Sequence, residues 1–143
     1  GVTAGARVLS ARERSASEEE RELGQRVFEV VRVRLAEGQP VALERTALSA
    51  QAFPDLLDQP LEGSLYALLR RRYQQSPARA VERLEVLAGP EEAEALEVEE
   101  GFPLFRVERL AYARSGQALE RSVDHFRGDR VRVVWETAIA PPP

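Results

Sequence analysis

Alternating apolar and polar residues, interrupted by short turns, limit most strongly what this chain can fold into. Arg26–Ala36 reads RVFEVVRVRLA, and the turn-forming residues Glu37-Gly38-Gln39-Pro40 follow it directly. A valine-rich alternation that ends in a turn is typical of a β-strand that returns in a hairpin. The sequence therefore predicts a first hairpin, with strands over 26–36 and 41–48.

The same pattern recurs in the second half of the chain. Residues 102–113 predict a strand, Ser115-Gly116 a tight turn, and residues 118–126 the partner strand. Two more alternating segments, 77–87 and 131–137, predict further strands. Because tight turns join antiparallel neighbours, we expect a meandering antiparallel sheet of six or seven strands.

Three short helices complete the predicted fold. Ser17 with Glu20 matches a capping box. Residues 64–73 carry leucines near helical spacing and arginines near their end, and residues 90–96 begin with proline and two acids. The predicted fold class is α+β, an antiparallel sheet of about six strands flanked by short helices on one side.

The composition excludes several kinds of site. With no cysteine and one histidine, the chain lacks a disulfide framework and the ligands of common structural zinc sites, so we expect no metal or cofactor. A net charge of −4 argues against nucleic-acid binding by this segment. No apolar run approaches the roughly 20 residues of a membrane span, and no segment resembles a signal peptide. We therefore expect a cytoplasmic protein without a membrane partner.

Strand parity places two arginines on one face of the first hairpin. Arg32 and Arg34 are two residues apart, so their side chains project to the same side. If the loop is Glu37-Gly38-Gln39, Arg32 lies opposite Glu44 on the returning strand. A two-residue turn would break that alignment.

The second hairpin predicts a similar face. With Ser115-Gly116 as the turn, Arg109 lies opposite Ser122, and Glu120, Asp124 and Phe126 share the face of Ser122. Arginine forks suit phosphates and carboxylates, so the combined residues predict a pocket for a polar anion. The alternative is a charged sheet face that is simply solvated.

Other residues have less specific interpretations. We expect His125 at the surface or an edge, Trp135 in the core or an interface, and Arg70-Arg71-Arg72 as a solvated helix end. Ser64 stands where it can cap a helix, and the N–H groups of that helix start attract anions.

Five segments, in order, resemble motifs of the UTRA domain over about residues 7–136. They are Arg32–Pro40 with Glu44, Leu61–Tyr66, Ala95-Leu96 with Gly101–Leu104, Arg109–Tyr112 with Gly116 and Glu120, and Phe126–Arg130. UTRA domains are the effector-binding domains of HutC-type regulators in the GntR superfamily. The resemblance implies a fold like that of chorismate lyase.

The resemblance also implies an organisation and partners. Residues 1–6 would be the tail of a linker, 7–139 the UTRA domain and 140–143 a C-terminal tail. The expected partners are a small-molecule effector, a second copy in a homodimer, and operator DNA through an N-terminal winged-helix domain that this chain lacks. A chorismate-lyase-like enzyme acting on a small anionic substrate is the alternative.

The resemblance assigns roles residue by residue. Arg32 and Arg34 would hold an anionic group, Glu44 the polar body of the ligand, and Glu120 its hydroxyl or amine groups. Ser64 and Tyr66 would contact the ligand at the helix start. Phe126 stands where sugar-phosphate-binding relatives have tyrosine, so one hydroxyl contact is lost. Arg109 is a further candidate from its position on the predicted face.

Overall fold

The computed structural model describes the backbone of residues 4–88 and 91–138. It contains six strands: β1 (Ala4–Ser15), β2 (Arg26–Ala36), β3 (Gln39–Ser49), β4 (Arg79–Ala88), β5 (Pro103–Tyr112) and β6 (Ala118–Arg127). One α-helix, α1 (Leu65–Tyr73), and two 3₁₀ helices, Glu18–Leu23 and Leu56–Asp58, join them.

The strands form a single antiparallel sheet in the order β1-β2-β3-β6-β5-β4. Two three-stranded meanders, β1–β3 and β4–β6, meet where β3 pairs with β6. The predicted α+β class is therefore confirmed, and so are the two predicted hairpins, β2–β3 and β5–β6.

The largest hydrophobic cluster lies on one face of the sheet, under α1. Burying these side chains is the main force that holds the helix to the strands. The buried members are Phe28, Val30, Leu48, Phe53, Leu56, Leu61, Leu65, Leu68, Leu69 and Leu119. This layer covers part of β2, β3 and β6 and leaves the rest of that face for other groups.

The helices do not all lie on one side, which corrects the expected layering. The 3₁₀ helix Glu18–Leu23 packs on the opposite face, where Leu23 joins Val27 and Ala47 in a second cluster. Val27 and Phe28 are neighbours in β2, so their side chains point to opposite faces. Through Leu23, the 3₁₀ helix therefore packs on the Val27 face of the sheet, whereas α1 packs on the Phe28 face.

The first hairpin turns through two residues rather than the expected three. Ala36 pairs with Gln39, and Glu37 and Gly38 both adopt positive φ, 52° and 76°. Such turns match the twist of antiparallel strands. A register shift at Val41 adds one residue to β3, and this bulge restores the predicted pairing farther along the hairpin.

The loop of the second hairpin is one residue longer than expected, and a register shift again compensates for the difference. The Ala113 N–H donates to the Gln117 carbonyl at 2.8 Å, so three residues form the loop instead of two. A register shift between Tyr112 and Ala111 then restores the predicted pairing of Arg109 with Ser122.

Several segments differ from the sequence prediction. Residues 4–6, expected in a linker, already belong to β1, which pairs with β2 along its length. Residues 131–138 have no regular secondary structure, so the strand predicted over 131–137 is wrong. Residues 91–97 form turns instead of a helix. The start of the expected linker, residues 1–3, and the expected tail over 140–143 lie outside the described residues.

One side chain lies elsewhere than expected, and a second lies outside the core. His125 is 6% exposed and therefore buried, with its Nε2 atom 3.7 Å from Glu92 Oε1 in the segment after β4. Trp135 is 75% exposed and takes no part in the core of this chain. Within the described ranges, no helix is long and apolar enough to cross a membrane.

Candidate functional site

A cavity of about 460 Å³ opens between the sheet and the loop that leads into α1. Strands β1, β2, β3, β5 and β6 contribute its floor and sides, and residues 62–66 contribute its rim. Its lining consists of Gly5, Ala6, Arg32, Arg34, Glu44, Thr46, Glu62, Gly63, Ser64, Leu65, Tyr66, Arg109, Glu120 and Asp124. Seven of these fourteen residues carry an ionisable acidic or basic side chain.

Arg32 is buried and uses most of its hydrogen-bonding capacity within the protein. Its Nε and Nη2 atoms donate to Glu44 Oε2 at 3.1 and 2.6 Å. Its Nη1 atom donates to the carbonyls of Leu61 and Gly63 at 2.7 and 2.8 Å. A guanidinium has five N–H groups, and these contacts occupy four of them. Arg32 therefore links the cavity rim to the sheet, and one of its N–H groups has no partner among the described residues.

Arg34 is the more available cation. Its side chain is 49% exposed, and its Nη1 atom lies 3.6 Å from Glu44 Oε1. That distance is too long for a hydrogen bond, so the ion pair is loose. A ligand anion entering the cavity would meet the Arg34 guanidinium with its donors largely uncommitted.

Arg109 approaches the cavity from β5 together with Tyr66. Its Nε atom donates to Glu82 Oε1 at 2.6 Å, and its Nη1 atom donates to the Tyr66 hydroxyl at 3.3 Å. Burial and the neighbouring Glu120 carboxylate raise the pKa of the Tyr66 phenol, so this group stays protonated.

Two carboxyl groups of β6 lie buried in the cavity wall and are only partly satisfied. Glu120 Oε2 and Asp124 Oδ1 have no hydrogen-bond partner among the described residues. Burial, with the nearby Glu44 charge as a further cause, raises the pKa of Asp124 to about 7. Burial also raises the pKa of Glu120. Such groups favour a ligand that offers hydroxyl or amine donors, because buried polar atoms need partners.

The start of α1 adds a favourable place for negative charge. The Ser64 hydroxyl accepts a hydrogen bond from the Ala67 N–H at 3.3 Å and so caps the helix. The other N–H groups of a first turn have no acceptor within the helix, and the helix dipole is positive there. Because Ser64, Leu65 and Tyr66 line the cavity, this positive end faces the same space as Arg34.

The structure brings most of the predicted site residues together. The cavity is lined by Arg32, Arg34, Glu44, Ser64, Tyr66, Glu120 and Arg109. Phe126 is not among the lining residues. It lies farther along β6, opposite Ala42 on one side and Phe105 on the other.

Sequence reasoning missed other lining residues. Thr46 is buried and two residues from Glu44, so strand parity alone could have identified it. Gly5 and Ala6 line the cavity from β1, a strand that the sequence did not predict.

Comparison with known proteins identifies the family. The sequence profile of the UTRA domain matches residues 1–132. The HTH-type transcriptional repressor NagR of Bacillus subtilis is 30% identical over 109 residues, which is 76% of this chain and 45% of NagR. The HTH-type transcriptional repressor PhnF of Mycolicibacterium smegmatis is 33% identical over 112 residues, 77% of this chain and 46% of PhnF.

The fold agrees with a solved structure from the same group. The effector domain of PhnF from Mycobacterium smegmatis superimposes with a TM-score of 0.89 at 29% identity, covering 96% of this chain and 89% of that domain. The described strands thus form the UTRA sheet, which is of the chorismate-lyase-like type. The chain spans less than half the length of NagR and of PhnF. This chain therefore belongs to the UTRA family, the effector domains of GntR-family transcriptional regulators.

Proposed function

We propose that this domain senses a small anionic metabolite, such as a sugar phosphate or a carboxylate, on behalf of a cytoplasmic transcriptional regulator. In this proposal a winged-helix domain elsewhere in the protein binds operator DNA, and two copies of the UTRA domain form a homodimer. The observation that carries the proposal is the half-exposed Arg34 guanidinium, which lines the same cavity as the N-terminus of α1.

In this proposal Arg34 and the first turn of α1, which both line the cavity, hold the anionic group of the ligand. Arg34 supplies paired donors that match a phosphate or carboxylate, and the helix start supplies N–H groups and a positive dipole. Arg32 supports this place indirectly, since its bonds to Leu61 and Gly63 hold the loop that leads into the helix.

The rest of the ligand would carry hydrogen-bond donors. Glu120 and Asp124 present buried carboxyl oxygens that have no partner in the part of the chain that the structure describes, and hydroxyl or amine groups of a ligand would satisfy them. A purely apolar ligand would leave those oxygens buried and unpaired, which costs about 1–3 kcal/mol for each group. This argues for a polar metabolite and against a fatty acid.

The cavity also offers a route from ligand binding to DNA binding. Gly5 and Ala6 of β1 line it, so a ligand contacts the strand that follows any upstream segment. A ligand that binds one arrangement of that strand better than another shifts the population of the whole regulator. The names of NagR and PhnF favour such a repressor role over the chorismate-lyase-like enzyme.

A thermal-shift screen tests the proposal. The panel would contain sugar phosphates, amino sugars, urocanate-like acids and fatty acids, with inorganic phosphate as the minimal anion. We expect stabilisation by at least one phosphorylated or carboxylated polar compound and none by the fatty acids. No shift with any anionic compound, or stabilisation by fatty acids alone, would contradict the proposal.

A further inference from the structure

Two carboxyl groups lie in the cavity wall with little to stabilise a negative charge. Glu120 and Asp124 both belong to β6 and are only 4% and 5% exposed. Glu120 Oε2 and Asp124 Oδ1 accept no hydrogen bond within the part of the chain that the structure describes. A buried carboxylate is costly unless a cation or several donors stabilise it, so at least one of these two groups favours its neutral form.

The arginines of the cavity pair with other carboxylates. Arg32 and Arg34 both pair with Glu44, and Arg109 pairs with Glu82 of β4. Among the described residues, none of these three arginines forms an ion pair with the two β6 carboxyl groups. The ionisable lining residues comprise three arginines and four acids, so the fully ionised cavity would carry a net negative charge. Such a cavity would repel the anion that the proposed function places in it.

Asp124 has the weaker local support of the two groups. Its carboxyl receives one hydrogen bond among the described residues, from the Ser122 hydroxyl to Oδ2 at 3.5 Å, which is long for a bond of this kind. The carboxylate of Glu44 lies directly opposite in the pairing of β3 with β6. Glu120, in contrast, has the Tyr66 phenol beside it as a donor. Protonation of Asp124 is therefore the simplest way to remove the excess negative charge.

The groups around Asp124 favour its neutral form near neutral pH. Burial, followed by the charge of Glu44 on β3, raises the pKa of Asp124 to about 7. Glu120 of β6 acts in the same direction, and Arg109 of β5 opposes them. The other titratable or charged groups that line the cavity are Arg32, Arg34, Glu62 and Tyr66.

We propose that Asp124 couples effector binding to protonation: it takes up a proton from solvent when an anionic effector binds, and it contacts the effector's hydroxyl groups as a neutral acid. This inference rests on the proposed function, because it takes the effector to be an anion in this cavity. A neutral carboxyl group accepts a hydrogen bond from a ligand hydroxyl and donates one from its own O–H. Because protonation also removes a charge that repels the anion, effector affinity falls as pH rises.

Probes of constant charge test this coupling, since protonation of the ligand then plays no part. Sulfate supplies the anion alone, and glucose 6-sulfate adds hydroxyl groups; neither changes charge between pH 6 and 8. Calorimetric titration at both pH values would compare the wild type with Asp124→Asn, which resembles the neutral acid in shape. Asp129→Asn is the matched control, because Asp129 lies outside the cavity and its hydrogen bonds from Arg127 lower its pKa.

The expected result is a strong pH dependence that Asp124→Asn removes. With an Asp124 pKa of about 7, the Kd of glucose 6-sulfate for the wild type should be about tenfold higher at pH 8 than at pH 6. Asp129→Asn should give the same ratio. Asp124→Asn should lose most of the ratio and bind at pH 8 more tightly than the wild type does. Sulfate should follow the same pattern with higher Kd values, because it lacks the hydroxyl groups.

A count of protons on the wild type tests the inference without any variant. Titration at pH 8 in two buffers of different ionisation enthalpy should show uptake of up to about one proton per bound glucose 6-sulfate. Zero uptake, or release of a proton, would overturn the inference. This measurement decides the question even where Asp124→Asn does not fold, as circular dichroism would show.

Three outcomes of the titrations would also overturn the inference. They are a wild-type Kd that does not rise with pH, an Asp124→Asn variant that keeps the wild-type ratio, and failure of both probes to bind the wild type at pH 6. The proposed function stands in each case where another anionic compound still gives a thermal shift, so the two failures are distinguishable.

Discussion

Arg32 donates two hydrogen bonds to Glu44 Oε2 across the first hairpin, at 3.1 and 2.6 Å, and both side chains are almost completely buried. The same guanidinium holds the carbonyls of Leu61 and Gly63. The pair therefore joins β2, β3 and the cavity rim, and its first role is to position the site.

Replacing Arg32 with alanine should destabilise the fold strongly. The change leaves the buried Glu44 carboxylate with only its loose ion pair to Arg34 and releases two backbone carbonyls, and breaking a buried pair in this way costs about 3–5 kcal/mol. Urea denaturation would measure the loss. The double variant Arg32→Leu with Glu44→Leu should recover much of it, since no uncompensated charge remains. A loss below about 1 kcal/mol for Arg32→Ala would contradict the positioning role.

Because the pKa of Asp124 is raised in the folded protein, its contribution to the free energy of unfolding should decrease as pH rises. Its pKa in the folded protein is about 7, above its ordinary value of 3.8, so the folded state binds more protons than the unfolded state between these values. The contribution of Asp124 to the free energy of unfolding is fully present below about pH 4 and is lost as pH rises to about 7. The pKa difference corresponds to a loss on the order of 4 kcal/mol.

Comparison with Asp124→Asn isolates this contribution. Burial lowers the pKa of His125, which makes stability rise with pH below its ordinary value of 6.5 and so opposes Asp124 there. Subtracting the urea-unfolding profiles of the variant and the wild type between pH 5 and 9 removes the histidine effect. A difference that does not change with pH would rule out the raised pKa.

Gly128 should not tolerate a side chain. A Cβ atom at this position would lie 2.8 Å from the Pro103 carbonyl oxygen, which also accepts a hydrogen bond from the Gly128 N–H. Since both groups are backbone, relief requires a shift of β5 or β6, and we expect Gly128→Ala to cost about 1–3 kcal/mol. Gly63→Ala is the matched control, because a Cβ there meets nothing within 4 Å. Equal thermal stability of the two variants would contradict this interpretation.

Strand alternation was sufficient to predict both hairpins and the pairing of Arg109 with Ser122. It succeeded although both turn lengths were wrong, because a register shift in each hairpin compensated for the error. A shift of one residue in register would turn every buried side chain to the solvent. The buried face of the sheet therefore specifies the strand register more strongly than a solvent-exposed turn does.

Long-range contacts account for what the sequence did not predict. Arg32 donates hydrogen bonds to carbonyls that lie 29 and 31 residues away in the sequence, and no local sequence pattern reveals such contacts. Phe126 is two residues from Asp124 in β6 and therefore lies on the same face of the sheet, as predicted. It does not line the cavity, because alternation identifies the face of a residue and not its position along the strand relative to the cavity. His125 is buried because the segment containing Glu92 packs over it.

Calorimetric titration would show whether Arg34 binds the anionic group of the ligand. The titrant would be the anionic compound that gives the largest thermal shift, added to wild type, Arg34→Ala and Arg26→Ala. Arg26 is a matched control, as an equally exposed β2 arginine that pairs with Glu13 outside the cavity. We predict a Kd at least tenfold higher for Arg34→Ala, because a charged hydrogen bond is lost, and an unchanged Kd for Arg26→Ala. Equal Kd values for all three proteins would contradict the proposed role of Arg34.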